Sequence, residues 1–329
     1  MTAPDTLRVG ICGIGQMGMR HLAALVRRED VAVRAVADPS SAALARALDL
    51  VAGTGGSAIP AAYADAEDLL ASDELDCVIL ATPSRLHARH CLAATTTGVA
   101  ILVEKPIATS VEDAQAVVHE IERTATLLAV GHVERFNPVV EALRRLLDDM
   151  PLGRTTLIET WRHNVPSVVA SEGVGLDLGI HDVDLICELL SEYPVSVDAA
   201  PVDPAAIPSR LAGELRFGSG AAGRLSVRSD ARDRQRRILV HCVEGEIDVD
   251  CLRQEMSYRN TGDEDWITSA WPGEALVREH DAFIAAVCAG SPTPVSARSG
   301  LRALAIVEAL VASAHRGEPV AVPDYSVRG

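Results

Sequence analysis

The sequence lacks the features that mark membrane, exported and disulfide-bonded proteins. No apolar run approaches the ~20 residues that a membrane-spanning helix needs. The N-terminus, MTAPDTLRVG, has no charged segment followed by an apolar stretch, as a secretory leader would. The seven cysteines form no CxxC pair, and most lie in apolar segments, as is typical of reduced core residues. We therefore expect a cytoplasmic protein without a membrane anchor.

The chain also lacks an excess of basic residues. Its formal net charge is -16 at pH 7 and its pI is near 5.0. Nucleic acids and anionic membranes attract basic surfaces, so we expect neither as the main partner. No internal repeat points to a repeat protein. Any anionic ligand would therefore need a local basic site.

What the sequence does contain is two successive patterns of secondary structure in 329 residues, enough for two domains. Up to about residue 130, short β-branched runs alternate with helical segments, which predicts an α/β fold with a doubly wound parallel sheet. Only the piece 50–63 is undecided between strand and loop. The remainder predicts an α+β domain with a large open, mainly antiparallel sheet. The predicted domains are residues 1–130 and 131–329.

The segment GICGIGQMG follows the first predicted strand and opens a helix. Its GxGxxG spacing places Gly13 for a tight turn, Gly15 for close approach of a pyrophosphate, and Gly18 for close packing of helix and strand. Asp38 ends the second predicted strand, where a carboxylate can bind a ribose 2′-hydroxyl and repels a 2′-phosphate. NAD is therefore favoured over NADP, and residues 1–130 are predicted to form a Rossmann domain. The motif residues assigned to the cofactor are Gly13, Gly15, Gln16, Met17, Gly18 and Asp38.

The segment GVGLDLGIHDVDLICELL, residues 173–190, sets acids and a histidine into an apolar helical pattern. Asp177 and His181 are four residues apart and so share one side of the predicted helix. Such a pair is compatible with a hydrogen bond at the helix end. It is also compatible with an acid/base pair, because histidine titrates near ~6.5. A metal site that adds Asp184 is disfavoured, since no second histidine has ligand spacing, and no metal is predicted.

Lys105 follows the fifth predicted strand, within the tripeptide EKP. Ligands of doubly wound sheets bind outside the carboxyl ends of the strands, so a lysine at this place would face the cofactor. An isolated lysine at a strand exit is more often an ordinary surface residue. The choice between the two depends on the segments that accompany it.

Four segments together resemble the Gfo/Idh/MocA oxidoreductase family. They are ATPSRLH at 81–87, VEKPIA at 103–108, VGHVERFNP at 130–138 and GLDLGIHDVDL at 175–185, in the family's order. The resemblance covers nearly the whole chain. It implies an NAD-binding Rossmann domain and an α+β domain that binds substrate and forms a homodimer or homotetramer through its sheet. It also implies an enzyme that oxidises or reduces a ring carbon of a sugar or cyclitol.

The resemblance also implies roles for individual residues. The catalytic lysine of the family corresponds to Lys105, and its Asp and His correspond to Asp177 and His181. Hydride transfer from a secondary alcohol requires the hydroxyl proton to leave, which suits histidine as the base and the ammonium as an alkoxide stabiliser. Further cofactor contacts are assigned to Thr82, Pro83, His87 and Glu104. The segment WRHN at 161–164 resembles one that binds substrate in inositol dehydrogenases, which makes Asn164 and Arg162 candidate substrate contacts. Arg135 and Asn137 are further candidates, and the alternative for them is that they pack the turn between the domains.

An arginine cluster lies in RLSVRSDARDRQRR, residues 224–237, where six arginines and two aspartates give a local charge of +4. Guanidinium groups bind phosphate bidentately, so Arg234 and Arg237 are candidate diphosphate ligands; a solvated turn or a subunit contact is the alternative. The HVERFNP segment resembles that of nucleotide-sugar 3-dehydrogenases. We therefore expect an enzyme similar to UDP-N-acetylglucosamine 3-dehydrogenase. A cyclitol or free-monosaccharide dehydrogenase is the nearest alternative, and a non-catalytic dinucleotide sensor is the alternative of another class.

Overall fold

The computed structural model describes residues 6–54, 58–71, 75–149, 152–166, 173–202 and 208–325. The first five residues of the N-terminal segment considered above lie outside these ranges. The chain divides into two compact units, one of residues 1–131 with 276–301 and one of residues 132–275 with 302–329. The chain first passes from one unit to the other between residues 131 and 132, one residue from the predicted boundary. The prediction did not include the return of residues 276–301 to the first unit.

The first unit contains a six-stranded sheet. Its strands are β1 (Leu7–Cys12), β2 (Val31–Ala37), β3 (Ala61–Tyr63), β4 (Cys77–Leu80), β5 (Ala100–Glu104) and β6 (Leu128–Gly131). They are ordered β3-β2-β1-β4-β5-β6, and all neighbours are parallel. The direction of winding reverses between β1 and β4, and a crevice for ligands forms at such a switch point. The doubly wound sheet is confirmed, and the undecided piece supplies β3.

Five helices connect these strands. They are α1 (Gln16–Leu25), α2 (Ser41–Gly53), α3 (Ala66–Leu70), α4 (His87–Thr95) and α5 (Val111–Thr124). Helices α2, α3 and α5 begin at Ser40, Asp65 and Ser110, whose side chains accept a hydrogen bond from a first-turn amide. Helix α1 begins at Gly15, which has no side chain to do so. Its first amides therefore remain available to an anionic ligand.

The second unit contains a nine-stranded sheet. Its strands are β7 (Thr155–His163), β8 (Pro194–Ala199), β9 (Arg210–Phe217), β10 (Ala222–Arg228), β11 (Gln235–Cys242), β12 (Gly245–Asp250), β13 (Glu255–Asn260), β14 (Ile267–Ala270) and β15 (Val320–Ala321). They are ordered β14-β13-β12-β11-β7-β10-β9-β8-β15, and only the described pair β7 and β10 is parallel. The mainly antiparallel sheet is confirmed.

One face of this second sheet is covered by helices and the other is open. On β11 the buried residues Ile238 and Val240 alternate with Arg237 and Leu239. The buried residues share a core with α6 (Pro138–Asp148) and α7 (Ile180–Leu190). Since side chains alternate along a strand, residues at odd positions of β11 point to the open face.

The last two helices are α8 (Ala275–Ala289) and α9 (Ala297–Arg316). Phe283 and Ile284 of α8 belong to the core of the first unit, whereas Ile306 and Leu310 of α9 belong to the core of the second. An apolar stripe predicts that a helix packs, but not against which sheet, so the sequence placed α8 in the wrong unit. None of the described helices is long and apolar enough to cross a bilayer.

The predicted helix over residues 173–190 is present but not uniform. Gly175–Gly179 forms a π-helical turn, and α7 begins only at Ile180. Asp177 lies in the π-helical turn and His181 in the first turn of α7. Such turns insert an extra residue into a helix and are frequent at functional sites. The regular α-helical spacing assumed for this pair is thus corrected.

Candidate active site

The three glycines of the GxGxxG motif have three different surroundings. Gly13 has φ +87°, and a Cβ on it would lie 2.5 Å from the backbone oxygen of Ala81. A Cβ on Gly18 would lie 1.8 Å from the backbone oxygen of Gly13. A Cβ on Gly15, in contrast, meets no atom within 4 Å. Two glycines therefore permit close packing of the turn, and the middle one leaves space for a ligand.

A cavity of about 560 Å³ opens beside this turn, at the carboxyl ends of β1, β2 and β4. Six of the predicted cofactor residues line it: Gly13, Gly15, Met17, Asp38, Thr82 and Pro83. Gln16 is exposed at the first position of α1. The cavity is also lined by four polar residues that the sequence did not indicate, namely Asp65, Arg85, Arg89 and His90. Their position after the strands β3 and β4 is the signal that could have found them.

The carboxylate of Asp38 connects the glycine turn to the start of α2. Its Oδ2 accepts a hydrogen bond from the Ile14 amide at 2.8 Å, and its Oδ1 accepts one from the Ser40 amide at 2.8 Å. A carboxylate has about four acceptor positions, so both oxygens keep capacity for a ribose hydroxyl. The uncapped helix, the open space at Gly15 and this carboxylate together fit NAD.

His87 connects two turns, and it is not among the described residues that line the cavity. Its side chain is buried, with Nε2 2.7 Å from the Thr82 oxygen and Nδ1 2.7 Å from the Pro106 oxygen. His90 lines the cavity instead, with Nδ1 3.0 Å from Thr82 Oγ1. Burial, together with the charge of His87, lowers the pKa of His90. The predicted cofactor contact of His87 is thus corrected to a structural link.

Lys105 is the single lysine among the 30 basic residues of the chain, and it follows β5 directly. Its side chain is partly buried. The preceding Glu104 is buried and its Oε1 lies 2.9 Å from His21 Nε2. Burial alone would raise the pKa of Glu104, but the hydrogen bond from His21 and the charges of His21, Lys105 and His87 lower it. Glu104, predicted as a cofactor contact, is therefore an ionised buried group beside the lysine.

In the second unit, Asp177 and His181 are both partly buried. The helix α7 that carries His181 is held by Arg135, which binds Asp184 through two hydrogen bonds of 2.6 and 2.7 Å and also contacts Glu188. Arg135 was predicted to bind substrate. The structure places its guanidinium on α7 instead, because these carboxylates occupy it.

Arg162 makes a second contact of this kind. It is buried, with Nε 3.1 Å from Asp182 Oδ2 and Nη1 2.8 Å from Glu134 Oε1. Burial raises the pKa of Asp182, although Arg162 opposes it, whereas Arg162 outweighs burial and lowers the pKa of Glu134. The predicted substrate contact of Arg162 is corrected in the same way as that of Arg135. The two arginines fix the position of α7.

The two predicted substrate asparagines differ. Asn137 is buried and begins α6, where its Oδ1 accepts from the Val139 amide at 3.3 Å and its Nδ2 donates to the Cys251 oxygen at 3.2 Å. It is therefore a helix cap, and its predicted substrate contact is corrected. Asn164 follows β7 and is partly exposed, and its Oδ1 accepts from Arg236 Nη2 at 2.7 Å. Burial lowers the pKa of Arg236 to about 10. Asn164 remains a candidate for substrate binding.

Three of the six arginines of the cluster at 224–237 form ion pairs with carboxylates. Arg237 donates two hydrogen bonds of 2.6 Å to Asp248. Arg224 binds Glu214 at 3.0 Å and Arg228 binds Asp230 at 3.1 Å. Arg234 is exposed in the turn before β11. The guanidinium of Arg237 is thus occupied by a carboxylate in this structure, and its role as a diphosphate ligand stays a prediction.

Among the described residues, no group of three or more His, Cys, Asp or Glu side chains has the arrangement of a metal site.

A Rossmann unit that fits NAD, joined to a unit with a mainly antiparallel sheet, defines the class of nicotinamide-dependent oxidoreductases. Residues 7–132 match the model of the GFO/IDH/MocA oxidoreductase family for its NAD-binding Rossmann fold, and residues 140–248 match the model for its C-terminal domain. The chain belongs to this family. It is an NAD-dependent dehydrogenase or reductase that acts on CH–OH groups.

Several known proteins are similar to the chain over nearly its whole length. An inositol 2-dehydrogenase of Rhizobium meliloti is 29% identical, over 94% of this chain and 97% of the relative. The structure of levoglucosan dehydrogenase with NADH and levoglucosan is 20% identical, covers 97% of this chain and 100% of its own, and has a TM-score of 0.88. A UDP-N-acetylglucosamine 3-dehydrogenase from Acidithiobacillus ferrooxidans is 24% identical, covers 94% and 98%, and has a TM-score of 0.82. The two structures support the fold.

Proposed function

We propose that this enzyme oxidises a secondary hydroxyl of a free cyclitol or monosaccharide, with NAD as the hydride acceptor. The observation that carries the proposal is the ion pair of Arg237 with Asp248, which occupies a guanidinium that a diphosphate would need. The full-length similarity to an inositol 2-dehydrogenase supports the same substrate class. A net charge of -16 also disfavours an anionic substrate unless a local basic site compensates.

In this proposal His181 is the base. Its Nδ1 is buried, which leaves Nε2 as the nitrogen that takes the hydroxyl proton. When bound, NAD would accept the hydride from the carbon that carries this hydroxyl. Asp177 in the π-helical turn orients the imidazole or holds a neighbouring hydroxyl of the substrate. An imidazole suits this transfer because its ordinary pKa is close to neutral pH.

Lys105 has the second role in the reaction. Its ammonium holds the reacting hydroxyl and stabilises the negative charge that develops on the oxygen as the proton leaves. The residues that would hold NAD are those of the cavity: the amides of Gly15, Gln16 and Met17 would bind the pyrophosphate and Asp38 a ribose. Lys105, Asp177 and His181 remain proposals as catalytic residues.

A nucleotide sugar is the second candidate substrate. Its support is Arg234, which is exposed in the turn before β11, together with the HVERFNP segment. The two candidates differ in the group that carries the binding energy. A diphosphate needs cationic partners, whereas a free cyclitol is bound through its hydroxyl groups.

The test is a comparison of kcat/KM with NAD for myo-inositol, free glucose and UDP-N-acetylglucosamine. We expect at least one free substrate to exceed the nucleotide sugar by about tenfold or more. Arg234→Ala should leave the KM for the preferred free substrate unchanged. The control Arg216→Ala, which removes an exposed arginine of β9, should do the same. A higher efficiency with UDP-N-acetylglucosamine, combined with a KM that rises only in Arg234→Ala, would establish the nucleotide sugar instead.

A further inference from the structure

A chain of three buried side chains lies behind the EKP segment, within the first unit. Glu104 at the end of β5 has its Oε1 2.9 Å from His21 Nε2 on α1. The other nitrogen of His21, Nδ1, lies 2.8 Å from Nε2 of His280 on α8. The exposed fractions of His21 and His280 are only 0% and 1%. The last link of the chain therefore comes from the helix that returns to this unit late in the sequence.

The hydrogen bonds of this chain join both nitrogens of His21 to buried partners. An ionised Glu104 only accepts, so His21 donates from Nε2. The Nδ1 of His21 and the Nε2 of His280 share a hydrogen bond of 2.8 Å, and the tautomer decides which ring donates. Burial and the charges of His21 and Arg28 lower the pKa of His280 to about 3, so His280 is neutral near pH 7. His280 holds the second nitrogen of His21 with either ring as the donor.

We propose that His280 is a positioning residue for the reaction, because it holds the second nitrogen of His21, whose Nε2 binds Glu104, the residue adjoining Lys105. The inference rests on the proposed catalytic role of Lys105. His280 touches neither substrate nor cofactor in this proposal. It acts by keeping a negative charge and a fixed hydrogen bond next to the lysine, as second partners do for other reactive side chains.

The charged and titratable groups around Glu104 are few. On its own strand Lys105 follows it, from α1 His21 faces it, and His87 of α4 lowers its pKa. From α8 come His280 and Glu279, which is 2% exposed. Burial, with the charge of Glu104, raises the pKa of Glu279 well above its usual value. Glu279 is thus neutral when Glu104 is ionised.

Removal of His280 has a predictable consequence. In His280→Leu the Nδ1 of His21 loses its partner, and the imidazole is no longer held in the orientation that binds Glu104. Glu104 then loses the hydrogen bond that offsets its burial, so its pKa rises. Protonation removes the negative charge beside Lys105, so activity is lost at a higher pH when the solution is acidified. His280→Gln retains an N–H donor and should restore the wild-type behaviour.

The single lysine of the chain gives a direct readout that is independent of turnover. Protein labelled with carbon-13 lysine yields one side-chain signal, that of Lys105, whose shift follows the ionisation of Glu104. We expect the midpoint of this titration to rise by about one pH unit in His280→Leu. The midpoint should return to the wild-type value in His280→Gln. It should also keep the wild-type value in Glu279→Gln, which replaces an acid by an amide on the same helix.

Activity is measured in parallel on the same four proteins. The acidic limb of kcat/KM should move with the lysine signal, while the Kd of NADH stays within about twofold, since the cavity around the glycine turn is untouched. An unchanged midpoint in a folded His280→Leu protein would overturn the proposal. So would a loss of activity that His280→Gln does not restore.

Two further measurements keep the proposal open to refutation. Nitrogen-15 histidine spectra of the wild type should show His21 protonated at Nε2, the nitrogen bound to Glu104; a His21 without a proton at Nε2 would refute the proposal even if His280→Leu does not fold. Lys105→Met distinguishes the two levels of inference. Normal turnover in that variant would refute the catalytic role, whereas an inactive Lys105→Met with an unchanged His280→Leu would refute the positioning role alone.

Discussion

At the scale of single residues, Asp38 combines a structural and a binding role. Each of its oxygens accepts a hydrogen bond from a backbone amide, one in the glycine turn and one at the start of α2. The same carboxylate lines the cavity and keeps further acceptor capacity. We therefore propose that its charge selects against a 2′-phosphate and that the turn held by its hydrogen bonds receives the pyrophosphate.

Asp38→Ser combined with Pro39→Arg should change the preference from NAD toward NADP. The substitution removes a repulsive carboxylate and adds a guanidinium for the 2′-phosphate, so the ratio of kcat/KM for NAD to that for NADP should fall by about tenfold or more. NAD itself should bind more weakly, because the amide of Ile14 loses its partner. The control is Pro39→Arg alone, which keeps the carboxylate and should change the ratio little. A wild type that prefers NADP would contradict the assignment.

Individual residues were predictable where the backbone leaves no room for a side chain or where the resemblance names the residue. Glycines at 13 and 18 are needed because no side chain fits there, and the single lysine follows β5 as the resemblance implied. The roles of arginines were not predictable. Arg135 and Arg162 bind carboxylates of α7, which come from another part of the chain, and only the fold shows that these groups meet.

At the scale of elements, α7 is held by buried ion pairs as well as by its apolar face. Arg135 binds Asp184 and Glu188, and Arg162 binds Asp182. The side chains of Asp182 and Asp184 are only 4% and 3% exposed, so each would be costly if its partner were removed. These pairs therefore fix the register of the helix that begins with His181.

Arg135→Met should lower the free energy of unfolding of the second unit by about 3–5 kcal/mol, because Asp184 is left buried with only His132, whose Nδ1 lies 3.6 Å from its Oδ2. The matched control is Arg144→Met, which removes a half-exposed arginine from Glu188 and should cost about 0–1 kcal/mol. All three tryptophans, at 161, 266 and 271, belong to this unit, so urea unfolding followed by tryptophan fluorescence reports on it. Equal losses in the two variants would contradict the buried role of Arg135.

The elements themselves were well predicted, but two of their properties were not. The π-helical turn Gly175–Gly179 depends on packing, since a Cβ on Gly175 would lie 3.2 Å from Val307 of α9. Helical periodicity cannot reveal such a turn. The return of α8 to the first unit depends on which core its apolar residues reach, and this is a long-range choice. The predicted homo-oligomer through the second sheet stays a prediction.

At the scale of the whole molecule, this acidic chain also buries carboxyl groups, and the burial site decides whether their pKa is lowered or raised. Glu104 has a lowered pKa, whereas that of Glu279 is raised well above its ordinary value of 4.5, by burial and by the charge of Glu104. Neither oxygen of Glu279 has a hydrogen-bond partner among the described residues. A group of this kind stabilises the fold only while it stays protonated.

Glu279→Gln should therefore increase stability at alkaline pH and leave it unchanged in acid. Because the folded pKa of Glu279 exceeds the unfolded one, its contribution is fully present below about pH 4.3 and is lost as the pH rises through the folded pKa. Each unit of difference corresponds to about 1.4 kcal/mol. Urea unfolding followed by circular dichroism at pH 4 and pH 8 measures both ends, with the exposed Glu29→Gln as control. An equal gain at both pH values would indicate a packing effect, and no gain at pH 8 would show that Glu279 is ionised in the folded protein.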